Sequence, residues 1–103
     1  MRIVFCTCPV DERDKIVNVL LEQKLVACVN VVSTVKSHYM WKGKICHDDE
    51  ALLIMKTRKE LIGPLTEKIN EVHSYDVVEV IALEIKEGDS HYLDWIRSVT
   101  RDE

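Results

Sequence analysis

The residues of this chain best suited to chemistry are its four cysteines and four histidines, and their spacing favours binding over catalysis. Cys6-x-Cys8 lacks the CxxC spacing of zinc ribbons and thioredoxin-like sites, and no haem, iron–sulfur or zinc-finger spacing is present. Three of the four cysteines sit inside apolar strand patterns, as suits reduced, buried thiols. His38 and His47 flank Lys42-Gly43, a turn signal. A two-residue turn there would set His38 opposite His47, with Cβ atoms about 5 Å apart. Two imidazoles at that spacing can share a metal ion, with Asp48 and Asp49 near. Lysine is unfavourable at the first position of a type I′ turn, which leaves open a longer loop and a slipped register. A solvated polar ribbon tip is the plainer account of the same residues. After the first strand pattern stands Thr7-Cys8-Pro9-Val10-Asp11, where a phosphate-binding enzyme would carry a Gly-rich loop. Proline and acids there oppose a backbone anion nest. No Ser/His/Asp or Cys/His pair has readable nucleophile spacing, so no enzyme is expected.

The elements that must position these groups follow from hydrophobic period. Residues 2–8 read as a first strand stopped by Pro9. Asp11 is the expected N-cap of a helix over about 12–24, with Ile16, Val17, Leu20 and Leu21 on its apolar face. Residues 25–41 and 44–57 are long β-branched runs joined at Lys42-Gly43, a hairpin with an apolar base and a polar middle. Thr57-x-x-Glu60 has the form of a capping box for a second helix to about 72. Gly63-Pro64 must kink that helix or delay its start. Residues 77–86 read as a fourth strand, and Gly88-Asp89-Ser90 caps a last helix to about 100. Strand–helix–strand–strand–helix–strand is the ferredoxin-like α+β plan, here with an extra C-terminal helix. The 103 residues fit one domain, 1–103.

The hairpin argues for an oligomer. Strands of about 14 residues reach roughly 45 Å at about 3.3 Å per residue. A 100-residue domain has a radius of gyration near 13 Å. The ribbon must protrude, exposing two edges that proteins normally cover, or bend back through a bulge in its polar middle. The sheet face away from the helices is also apolar and needs a cover.

Five segments in register then carry a resemblance over almost the whole chain. They are Ala27-Cys28-Val29-Asn30; Tyr39-x-Trp41-x-Gly43-Lys44-Ile45; Glu50-x-Leu52-x-Ile54-x-Lys56-Thr57; His73-x-Tyr75-x-x-x-Glu79; and Gly88-x-x-x-Tyr92-Leu93-x-Trp95. The series resembles the CutA family of divalent-ion-tolerance proteins. The resemblance implies a tight homotrimer with ferredoxin-like subunits and exchanged hairpins, cytoplasmic, associated with copper tolerance and divalent-cation binding. It places Cys6 where a family member offers a thiolate to copper, with His73 sharing the site. Thiolate plus imidazole suits Cu(I) or Zn(II). Cys8 shares a strand face with Cys6 and is the candidate third ligand. Simple burial accounts for Cys6 as well, since free cysteine is among the most buried residue types. The sequence departs from the family at Ser74 and Val78, which stand where prolines are usual, and at Val72, where some members carry a second histidine.

Tyr39, Trp41, Tyr92 and Trp95 are candidates to line a cleft between subunits, or to pack as interface anchors. Lys56 and Glu79 both fall in apolar strand contexts and are candidates to bind a ligand or to form a structural ion pair across the trimer. The leading expectation is a homotrimeric metal-binding protein that takes copper, as Cu(I) or Cu(II), or zinc or another divalent cation. The alternative is a PII-like signalling or scaffold module that binds a small ligand or partner around Lys56, Glu79 and Trp95. Lys plus Arg number 14 against 18 Asp plus Glu, a net charge of -4 that opposes a general nucleic-acid binder. No apolar stretch approaches the length of a membrane span, and no signal-peptide pattern precedes the first strand.

Overall fold

The computed structural model describes residues 1–102. Strand β1 (Arg2–Pro9) leads into a 3-10 turn (Val10–Glu12) and helix α1 (Arg13–Glu22). Strands β2 (Cys28–Trp41) and β3 (Lys44–Thr57) form the hairpin. A second 3-10 turn (Lys59–Leu61) opens α2 (Ile62–Val72), and β4 (Ile81–Glu84) and α3 (Ser90–Val99) complete the chain. The sheet is antiparallel in the order β2-β3-β1-β4. This mixed α+β arrangement has the element succession expected from the sequence.

Period-two burial divides the sheet. Val4, Cys6 and Cys8 on β1 and Ala51, Leu53 and Met55 on β3 are fully buried, packed with Ile16, Leu20, Leu65 and Ile69 of the helices. The opposite face carries Ile3, Phe5, Leu52 and Ile54, half-buried, and Val32, Ile81 and Leu83, 41 to 52% exposed. A largely apolar sheet face is thus open to solvent in the single chain.

Several local expectations are corrected. Asp11 lies inside the 3-10 turn, and Glu12 holds the cap position of α1 without a side-chain cap bond. The Thr57/Glu60 capping box does not form, because the Thr57 hydroxyl donates to the Leu25 carbonyl at 2.6 Å and Arg58 becomes the cap residue. Helix α2 starts late, which places Pro64 in its first turn, where no helical bond is lost. Strand β4 has four residues rather than ten, since residues 73–80 cross the end of the sheet instead of pairing in it. Helix α1 ends in a Schellman motif: Lys24 adopts φ 56° and donates to Leu21, while Leu25 donates to Leu20. The Asp89 cap of α3 forms as expected, accepting from the Tyr92 amide at 3.1 Å.

The hairpin turn has two residues, Lys42 at φ 50° and Gly43 at φ 76°, both left-handed as a type I′ turn demands. Lysine does not displace it. The turn sets Trp41 opposite Lys44 and His38 opposite His47. Nearer the sheet, Val32 faces Leu52 and Val35 faces Glu50, so Ser33 and Thr34 together oppose Ala51 in a β-bulge. The bulge bends the ribbon without folding it back. Residues 44–49 lie beyond the last β1 partner, and the molecule is 44 Å long with a radius of gyration of 14.2 Å.

Candidate functional site

The end of β1, the segment 73–80 and the outer part of the hairpin, His38 included, converge on one groove. It has a volume of about 700 Å³ and is lined by Thr7, Tyr39, Trp41, Glu50, Tyr75 and Glu79, among others. Pairing of Pro9 with Glu50 brings the hairpin to the end of β1. The C-terminus of α2 delivers His73, and the following residues carry Tyr75 across to Glu50.

His73 is only 8% exposed, and both its ring nitrogens are engaged. Nδ1 accepts the Tyr75 amide at 3.1 Å, which assigns the proton to Nε2, and Nε2 donates it to the Thr7 carbonyl at 2.8 Å. The ring is held as one neutral tautomer. The Cys6 thiol reaches the same carbonyl at 3.6 Å. Cys6 and His73 are therefore neighbours across one oxygen.

The thiols are held protonated. Cys6 is pushed up from 9.0 to about 12, first by burial, then by Cys8 and the carboxylates of Glu79 and Glu50. Cys8 rises to about 11, again first by burial, with Glu12 and Glu50 adding to it. Both side chains point into the helix-covered core, as strand alternation requires. No group of three or more His, Cys, Asp or Glu side chains is arranged to hold a metal ion among the described residues.

Glu50 and Tyr75 line the groove but were not singled out as site residues from the sequence. Glu50 is 6% exposed and accepts the Tyr75 phenol at 2.9 Å. Burial, then the bond to Glu50, holds the Tyr75 proton well above the usual phenol range. Tyr39 donates to Asp48, and that bond first of all raises its phenol to about 12. The run of acids at 48–50 was visible, but the contact of Glu50 with Tyr75, 25 positions away, was not.

The remaining candidates divide. Tyr39, Trp41 and Glu79 line the groove, whereas Lys56 and Trp95 do not. Lys56 pairs in register with Cys28 and Ile3, donates to the Asn30 carboxamide and lies 4.0 Å from the Cys28 sulfur. Within one chain Lys56 and Glu79 make no ion pair, because Glu79 belongs to the crossing segment at the other end of the strands. Trp95 stacks obliquely on Tyr92 at 5.6 Å.

Residues 2–99 match the family model described as CutA1 divalent ion tolerance protein. The chain is 48% identical over 100 residues to the chloroplastic protein CutA of Arabidopsis thaliana, covering 96% of this chain and 55% of that protein. It thus spans about half the length of that relative. The crystal structure of CutA1 from Oryza sativa superposes with a TM-score of 0.96 at 43% identity, covering 99% of this chain and 94% of that one. The structure described as a PII-like protein CutA from Nostoc sp. PCC 7120 superposes at 0.93 with 32% identity over 98% of both chains.

Proposed function

Because the chain belongs to the CutA1 divalent ion tolerance family, we propose that it is a non-enzymatic, homotrimeric metal-binding protein that takes copper through Cys6 and His73, with Cys8 behind them. The observation that carries this reading is the meeting of the Cys6 thiol and the His73 ring on the Thr7 carbonyl. Glu50, Asp76 and Glu79 line the adjoining groove and favour a cation there. Soft thiolate and borderline imidazole suit Cu(I) first and Zn(II) second.

Metal capture must rearrange this site. Cys6 has to release its proton, and Nε2 of His73 has to give up the Thr7 carbonyl and transfer its proton to Nδ1, which frees the Tyr75 amide. Ser74 and Val78, without the fixed φ of proline, leave that segment able to move. The open apolar face of Ile3, Phe5, Leu52, Ile54, Ile81 and Leu83 supports assembly with further copies. The four free cysteines fit a reducing compartment such as the cytoplasm.

A competitive Cu(I) titration of the reduced protein beside Cys6→Ser tests the metal site. At least tenfold weaker binding by the variant supports it, and equal or negligible binding by both overturns it. The groove itself favours a second reading, a PII-like module holding a small ligand against Tyr39, Trp41 and Tyr75. That reading requires ligand binding that survives the loss of both Cys6 and His73.

A further inference from the structure

We propose that His38 and His47 form a two-imidazole site for a borderline divalent cation (nickel, zinc or copper(II)) on the projecting part of the hairpin, separate from Cys6 and His73. The type I′ turn sets the two residues directly opposite one another. Their rings lie 5.8 Å apart and 11° from parallel. His73 spends both nitrogens on backbone groups, but no hydrogen bond engages either hairpin imidazole among the described residues. Both side chains are exposed in the single chain.

The geometry suits chelation. One ion at about 2.0–2.1 Å from each nitrogen needs those nitrogens roughly 3 Å apart. Side-chain rotation closes rings at this spacing onto one ion, because directly opposed Cβ atoms sit only about 5 Å apart. Lys36 and Asp49 occupy the same ribbon face, joined at 3.1 Å, and line the same recess as the two histidines. The Asp49 carboxylate is engaged by Lys36, so the two imidazoles are the protein's donors and water fills the remaining positions. Asp48 also borders the recess, but its carboxylate accepts from Tyr39. An imidazole pair selects Cu²⁺, Ni²⁺ and Zn²⁺ over Mn²⁺, and excludes Ca²⁺ and Mg²⁺, which require oxygen donors.

The test is calorimetric titration of Ni²⁺ into the full reduced chain. Wild type is run beside His38→Gln, His47→Gln, Cys6→Ser and His91→Gln. We expect saturable binding that weakens at least tenfold in each hairpin variant and stays within about twofold in the other two. The proposal is overturned if wild type shows no saturable binding, if both hairpin variants bind as wild type does, or if the loss appears in Cys6→Ser or His91→Gln instead. Paramagnetic broadening by Ni²⁺ of the His38 and His47 ring signals in the unaltered protein gives a readout without mutation, and its absence also refutes the site. Cu(I) binding through Cys6 can fail while this site stands, and the reverse, because the two tests use different ions and different variants.

Discussion

Cys6 offers a quantitative check on the idea that the core-side thiols are protonated. Its pKa is raised from 9.0 to about 12, first by burial. A raised acid contributes nothing to the pH dependence of stability below its unfolded value, because both states then carry the proton. Above about 9 the unfolded thiol ionises and the folded one does not, so stability falls with pH until the folded thiol ionises near 12. One pKa unit corresponds to about 1.4 kcal/mol. Between pH 8 and pH 10, Cys6 alone should therefore remove about 1.4 kcal/mol of stability. Tyrosines and lysines titrate in the same window, so the difference between wild type and Cys6→Ala isolates the thiol. The assay is urea unfolding at pH 8, 9 and 10 at fixed protein concentration, which matters for a chain that associates. The variant should start less stable and lose about 1.4 kcal/mol less on reaching pH 10. Parallel pH curves would refute the claim that Cys6 is a desolvated, protonated thiol, and with it the expectation that Cu(I) must displace a proton.

Three other outcomes follow from the geometry. Gly43→Ala should lower stability by about 1–2 kcal/mol in urea unfolding, since Gly43 sits at φ 76° and a new Cβ meets nothing within 4 Å, leaving only the left-handed backbone penalty. His73→Ala should cost about 1–3 kcal/mol and speed hydrogen exchange at the Tyr75 amide, because the Thr7 carbonyl and that amide both lose their partner. Leu83→Lys, on the open sheet face at 52% exposure, should shift sedimentation toward the single chain with little loss of its secondary structure; an unchanged oligomer would show that this face is not the interface.

Element types and the β3 boundaries were legible because apolar period is a strong local signal, and the His38–His47 pairing followed once Lys42-Gly43 was taken as a two-residue turn. The failures share a cause. Val77, Val78 and Val80 look like strand, but the segment is drawn over the end of β1 by His73 bonding Thr7 and Tyr75 bonding Glu50, contacts between residues 66 and 25 positions apart. Thr57 looks like a cap, but the Leu25 carbonyl claims its hydroxyl from 32 positions away. Long-range polar partners override local propensity, and no period reveals them. Within one chain Lys56 and Glu79 lie at opposite ends of the strands, a separation that their apolar contexts alone did not reveal.

The bulge at Ser33 and Thr34 has a consequence for how this chain tolerates change. The sheet and the turn each impose a strand alignment, and the two are one residue out of step; the extra residue works as a phase shifter between them. Positions along the tip of β2 are thereby counted separately from those in the sheet. The ribbon can be rewritten as a recognition surface without disturbing the alternation that builds the core, whereas removing one residue at the bulge would bring the two alignments into step and take out the local bend and twist that the bulge imposes.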